Sequence, residues 1–225
     1  VDTIGLSLRR TMTLMHRGAS LRGWIAGRFV PERCEFLLQV STSLLPALGT
    51  VLERVRQGLD LDADPSLIDS ALADVPGPVV PGLRVPNGMD GFESAVRVIL
   101  GRQVTGAAAR TLVSGLVGRF RAPIETPHAE LTRCFPEAAT LAGASAEAVG
   151  TLGIVRQRVG ALQALAREVS EGRIALHRGA PIAATQDALR ALPGIGEWTV
   201  QLISMRALAW PDAFPATDIG PLNAL

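Results

Sequence analysis

The sequence predicts an α+β protein: a small antiparallel β-sheet with helices at the N-terminal end, followed by an all-α region. Three observations carry this reading. Residues 20–40 alternate apolar and polar side chains, residues 75–88 crowd proline and glycine, and beyond them the apolar spacing is helical almost to the last residue. At 225 residues the chain can bury a substantial core in one large or two small domains.

Residues 20–30 (SLRGWIAGRFV) and 33–40 (RCEFLLQV) read as strands joined by a turn at Pro31 and Glu32. Residues 46–58 (PALGTVLERVRQG) and 65–73 read as helices, the second behind Asp64 as its N-cap. The stretch 75–88 (VPGPVVPGLRVPNG) is too rich in Pro and Gly for regular structure. It divides the chain into an N-terminal α+β domain, 1–80, and a helical domain, 81–225. In the second domain, helices are expected over 91–100 and 105–121, with short ones around 127–134, 136–141 and 145–151, then a longer one over 154–171. A helical pair follows, 185–191 and 197–209, with Val200, Ile203, Ala207 and Leu208 largely on one face and Pro193, Gly194 and Gly196 between the two helices.

Composition narrows the chemistry. All 22 basic side chains are Arg and none is Lys, so no lysine can form a Schiff base with a sugar; the Val1 amine is the remaining amine. Cys34 and Cys134 are far apart with no CxxC, which excludes a cysteine-ligated zinc or iron–sulfur site and a disulfide framework. No segment is both long and apolar enough to span a bilayer, and no basic stretch precedes an apolar one at the start, so no membrane partner is expected. The net charge of +1 hides an uneven distribution: five Arg and no acid lie between Arg97 and Arg121, while Asp60, Asp62, Asp64, Asp69 and Asp74 crowd a short acidic stretch. Such a basic run can bind phosphates or be an ordinary solvated face.

Residues 192–218 are the most informative part of the chain. Glycines at 194 and 196 permit positive φ and leave no side chain between backbone and ligand, so N–H groups opening the second helix can point at an anion such as a phosphodiester. The same tetrapeptide, PGIG, also serves as a plain helix–helix turn. Asp218 stands 22 residues past Gly196, and an Asp after Pro215 and Thr217 can be a helix N-cap or a working carboxylate. Glu197 beside the hairpin can bind solvent or a cation, or be a first-turn acid favoured by the helix dipole. His16, His128 and His177 have no motif context and read as surface or cap residues.

Together, LPGIGEWT at 192–199, DAFPATD at 212–218, PGLRVPNGMDGFESAVRVILGRQVTGAAAR at 81–110 and LGIVRQRVGALQALAREVSEG at 152–172 resemble the helix-hairpin-helix DNA glycosylases, most closely the 3-methyladenine DNA glycosylase II (AlkA) type. The likeness covers nearly the whole chain. It implies that the helical region is a helix-hairpin-helix glycosylase core, and that further segments belong before Val1 and after Leu225. It also implies a monofunctional enzyme that excises alkylated bases, 3-methyladenine and related purines, by N-glycosidic hydrolysis in base excision repair. Asp218 is then the catalytic carboxylate, Trp198 and Leu202 line the base pocket, and Gln103 in LGRQVT fills the gap left by the extruded base. Gly194, Ile195, Gly196, Thr199 and Arg102 contact DNA phosphates. Two positions depart from the family pattern: Arg102 replaces a commoner Gln, and Leu202 stands where an aromatic ring is frequent. The resemblance implies no metal or nucleotide cofactor beyond a possible monovalent cation at the hairpin loop. The expected partner is double-stranded DNA carrying damaged bases, met by a monomer, or part of a larger fusion, in the cytoplasm of a bacterium near the nucleoid. The alternatives are a catalytically silent hairpin module that binds DNA or senses damage, and an α-rich interaction protein whose hairpin only packs helices.

Overall fold

The computed structural model describes residues 6–74 and 80–218. Strands β1 (Ser7–His16), β2 (Ala19–Val30) and β3 (Glu35–Val40) form an antiparallel sheet in the order β1-β2-β3. The sequence pattern missed β1, because Arg10 interrupts its apolar face of Leu8, Met12 and Leu14. His16 pairs with Ala19, leaving a two-residue turn in which Arg17 and Gly18 both have positive φ, the geometry whose twist suits a tight hairpin. A 3₁₀ turn over Pro31–Arg33 joins β2 to β3. Another, Thr42–Ala47, crosses the sheet, and a Cβ on Gly23 would lie 2.4 Å from its Leu44 side chain.

Helix α1 (Leu48–Gly58) turns Val51 and Val55 onto Met12, Leu14 and Ile25, forming the first apolar core. The short α2 (Pro65–Ala71) starts where Asp64 accepts hydrogen bonds from the amides of Ser66 and Leu67. The second core is built by α3 (Gly91–Gly101), α4 (Gly106–Arg119), α5 (Ala138–Ala142), α6 (Ala146–Gly150), α7 (Arg156–Ser170), α8 (Ile182–Arg190) and α9 (Glu197–Ala207). Leu100, Leu116, Leu162, Leu165, Leu189 and Ile203 are fully buried in it. Helix α3 runs through the middle of this unit, with α9, α4 and α7 packed around it.

Residues 127–134 do not form the expected short helix. Arg133–Cys134 (β5) instead pairs with Ala122–Pro123 (β4) as a two-stranded ribbon. Pro123, Pro127 and Pro136 lack the N–H a helix would use, and the Thr126 side chain takes over local backbone groups, accepting from the His128 amide at 3.1 Å.

The sheet unit is bolted to the start of α3. Arg10 donates to Glu93 at 2.7 Å and Arg54 to Asp90 at 3.0 Å, while Asp90 also caps α3 through the Glu93 amide. Thr11 donates to the Arg133 carbonyl, Arg22 to Glu137, and the Gly88 amide to the Arg206 carbonyl of α9. His128, expected as a surface or cap residue, packs its ring edge-on to Trp24 across this junction, centroids 4.9 Å apart. Cys134 is buried, which pushes its thiol pKa up, and Cys34 is exposed. No helix among the described residues is long and apolar enough to cross a membrane.

Candidate active site

Helices α8 and α9 and the turn between them form the hairpin read from the sequence. Gly194 has φ +79°, the left-handed conformation a side chain would strain. Gly196 departs from expectation: at φ −97° and ψ 174° it is an extended N-cap whose carbonyl accepts from Thr199 and Val200. What its missing side chain provides is space, since a Cβ there would meet no atom within 4 Å. Ile195 is buried, and its amide bonds back to the Leu192 carbonyl at 3.2 Å, so it anchors the turn and does not offer an N–H outward. The amides of Gly194, Gly196, Glu197 and Trp198 make no backbone hydrogen bond among the described residues. They lie at the positive end of the α9 dipole and suit an anion.

Thr199 is only 1% exposed, and its hydroxyl lies in the interior without a hydrogen-bond partner among the described residues, so its side chain cannot meet a phosphate. The motif placed it on the wrong face of α9: Thr199, Val200 and Ile203 point inward, while Trp198 and Leu202, one turn apart, share the partly exposed face. Glu197 is held by Arg190 through hydrogen bonds of 2.8 and 3.1 Å and by Gln201 at 2.8 Å. The Arg190 guanidinium foremost, then the Gln201 amide, lower its pKa to about 2.

The Trp198 indole N–H donates to Asp218 Oδ2 at 2.9 Å, bringing together the pocket aromatic and the candidate carboxylate across 20 residues of chain. Asp218 closes a turn with its amide on the Pro215 carbonyl at 2.8 Å. Its half-buried setting leaves it reachable from solvent. The helix it was expected to open lies outside the described residues.

Two residues the sequence reading passed over complete this arrangement. Gln201 accepts from the Phe214 amide at 3.2 Å while its own N–H₂ donates to Glu197, so one amide ties the hairpin helix to the loop that carries Asp218. Phe214 is 59% exposed beside it. The spacing of Glu197 and Gln201, four apart on one helix, was the available signal.

Between α3 and α4, Gln103 sits exposed at φ +51°, left-handed backbone that a non-glycine residue adopts at a cost of about 1–2 kcal/mol. Thr105 caps α4 through the Ala108 amide. Arg102 is partly exposed and reaches toward the hairpin. Its Nη1 donates to the Gly194 carbonyl at 2.6 Å, and its own carbonyl accepts from Arg158 of α7. The structure thus brings Gln103, Arg102 and the hairpin together and gathers Trp198, Leu202 and Asp218 on the α9 side. A cavity of about 480 Å³ lined by Arg10, Met12, Asp90, Phe92, Glu93 and Phe135 lies at the sheet–helix junction; neither Trp198 nor Asp218 lines it.

Comparison with known proteins agrees with this architecture. The AlkA N-terminal domain family matches residues 3–90. The chain is 39% identical over 178 residues to a Mycobacterium tuberculosis (strain CDC 1551 / Oshkosh) protein named "Probable bifunctional transcriptional activator/DNA repair enzyme AlkA", covering 77% of this chain and 35% of that one. It is 30% identical over 181 residues to DNA-3-methyladenine glycosylase 2 of Escherichia coli (strain K12), covering 80% of this chain and 63% of the relative. The chain therefore spans about a third and somewhat under two thirds of these relatives' lengths. Among solved structures, the 3-methyladenine DNA-glycosylase from Archaeoglobus fulgidus superposes with a TM-score of 0.73 at 20% identity, over 98% of this chain and 73% of that one, a likeness of fold. Residues 3–90 carry an AlkA N-terminal domain, and beyond it the chain is similar in sequence to proteins named AlkA and DNA-3-methyladenine glycosylase 2 and shares its fold with a 3-methyladenine DNA-glycosylase.

Proposed function

We propose that this chain is a monofunctional DNA glycosylase that releases alkylated bases, 3-methyladenine and related purines, from double-stranded DNA by hydrolysing the N-glycosidic bond. The observation that carries the reading is the Asp218 carboxylate held by the Trp198 indole on the hairpin helix. Breaking the bond builds positive charge on the sugar, and a fixed carboxylate beside the anomeric carbon stabilises it and orients the attacking water. The α9 amides grip a phosphate and set the register of the duplex. Gln103, exposed on its strained turn, enters the stack; the base swings out against Trp198 and Leu202. A cationic alkylated base leaves readily, so the mechanism needs no strong general acid. The absence of Lys makes the expected product an intact abasic strand.

The proposal has the protein act on DNA as a monomer in the bacterial cytoplasm, or as one part of a larger polypeptide. A monovalent cation at the hairpin would rest on backbone carbonyls, since Glu197 is engaged by Arg190 and Gln201; no step runs through it. The test is base release from an alkylated duplex under single-turnover conditions, by this chain and by one extended at both ends. Asp218→Asn should lower release by roughly 10²–10³-fold, about 3–4 kcal/mol in barrier, with DNA affinity retained. Borohydride should trap no enzyme–DNA adduct. Equal release by Asp218→Asn removes it from the chemistry, and DNA binding with no release by either chain favours the silent module.

A further inference from the structure

We propose that Arg102 is a positioning residue that clamps the Gln103 turn to the hairpin, so that the phosphate grip and the element entering the DNA stack act as one rigid body. The proposal rests on the reading of this chain as a base-extruding glycosylase. Three parts of the chain far apart in sequence meet at this residue. Its guanidinium donates to the carbonyl of Gly194, 92 positions away, at 2.6 Å. Its carbonyl, in the peptide plane that leads directly into Gln103, accepts from Arg158 of α7, 56 positions away. Gly194 in turn rests on α7, where a Cβ added to it would stand 3.5 Å from Ala161 and 3.6 Å from Gln157.

Fixing the carbonyl of residue 102 fixes the direction in which residue 103 departs, and the positive φ of Gln103 shows that this direction is imposed by the surroundings. The donor to Gly194 has to be long, charged and multivalent. Arginine reaches the carbonyl with one N–H of a rigid planar guanidinium, which fixes the approach more tightly than the freely rotating ammonium of a lysine would. The partial burial of Arg102 strengthens the bond against water. A phosphate seated on the amides of Gly194 and Gly196 is then coupled through one carbonyl and one guanidinium to the depth at which Gln103 enters the helix.

The test is single-turnover release of an alkylated purine placed either opposite its normal partner or opposite an abasic site, by Arg102→Ala, Arg102→Lys, Gln103→Ala and the Arg102→Ala/Gln103→Ala pair. Arg102→Ala should lower release about tenfold or more in the paired duplex and less than threefold opposite the abasic site, where little must be displaced. The double variant should be no worse than the worse single one, and Lys should restore part of the loss, because both residues act in one step. An equal loss in both duplexes, or additive losses, would make Arg102 a general structural residue and overturn the proposal. So would a fall of about one in the slope of log affinity against log salt, which assigns it to a phosphate. A parent that releases no base defeats the glycosylase reading alone. The clamp is then decided by the fluorescence of 2-aminopurine in the duplex, which rises on unstacking: a smaller rise with Arg102→Ala, and a partly restored one with Arg102→Lys, upholds it, and an unchanged rise sinks it.

Discussion

Replacing Trp198 with Phe removes one hydrogen-bond donor and little else. The indole N–H stands 2.9 Å from Asp218 Oδ2, a normal length for a neutral donor on a carboxylate. Hydrogen bonds to charged groups contribute about 1.5–3 kcal/mol. Both side chains are partly exposed, so the lower part of that range applies, about 1.5–2 kcal/mol. If the bond holds the carboxylate in its working position, Trp198→Phe should slow single-turnover base release roughly 10- to 30-fold. The phenyl ring keeps most of the surface on which an extruded base stacks. Trp198→Ala loses both donor and ring, and with stacking at about 1–3 kcal/mol per base the combined loss is roughly a hundred- to several-thousandfold. In an Asp218→Asn background the Phe substitution should add little, since its partner has already lost its charge. Release by Trp198→Phe within twofold of the parent would refute the claim that the indole positions Asp218. Equal losses for Phe and Ala would refute the stacking role.

Two further predictions concern the hairpin. Gly196→Val, at an extended residue with open space around it, should leave the melting temperature nearly unchanged and weaken binding to damaged and undamaged duplexes alike; Gly194→Ala, at φ +79°, should cost about 1–2 kcal/mol in stability. Fluorescence anisotropy and thermal melts measure the two effects, and unchanged affinity in Gly196→Val would return PGIG to a packing turn. The Arg190–Glu197 pair should show in the pH dependence of stability. Its carboxylate has a pKa lowered from 4.5 to about 2, so the stabilisation is present above pH 4.5 and is lost as pH falls toward 2. The melting-temperature gap between the parent and Glu197→Gln should therefore be constant from pH 8 to 5 and close below 4.5; a gap that widens on acidification contradicts the pairing.

What the sequence disclosed follows from how local each signal is. The β2–β3 pair was legible because alternation repeats over two strands, and the hairpin because Pro193 and Gly194 break a helix in a specific way. Strand β1 was hidden by Arg10, a charge on the apolar face that makes sense only beside Glu93, 83 residues on. The ribbon of β4 and β5 is two residues wide on each side, too short for any period. In the candidate site, Asp218, Trp198, Leu202 and Gln103 were named by motif, and the structure sets them on accessible faces. The burial of Thr199 and Ile195 was not legible, because motif position does not say which side of a helical turn faces the core. The bond of Arg102 to the hairpin was not legible, because its partner is a backbone carbonyl 92 residues away, which no side-chain pattern encodes.

Helix α3 carries a consequence for how such a chain can be inherited. One end of the helix is fastened to the sheet unit by Arg10 on Glu93 and Arg54 on Asp90, and the other end presents Arg102 and Gln103. Recombination in the Pro/Gly segment between the units would separate two guanidinium groups from their acids. It would leave the Glu93 carboxylate, 13% exposed, with Arg97 as its remaining ion-pair partner among the described residues. The segment that looks easiest to cut therefore joins parts that cannot be exchanged one at a time. A substitution of Arg10 on β1 or Arg54 on α1 is felt by an acid of the other unit, so the two units should travel through evolution as a single heritable block.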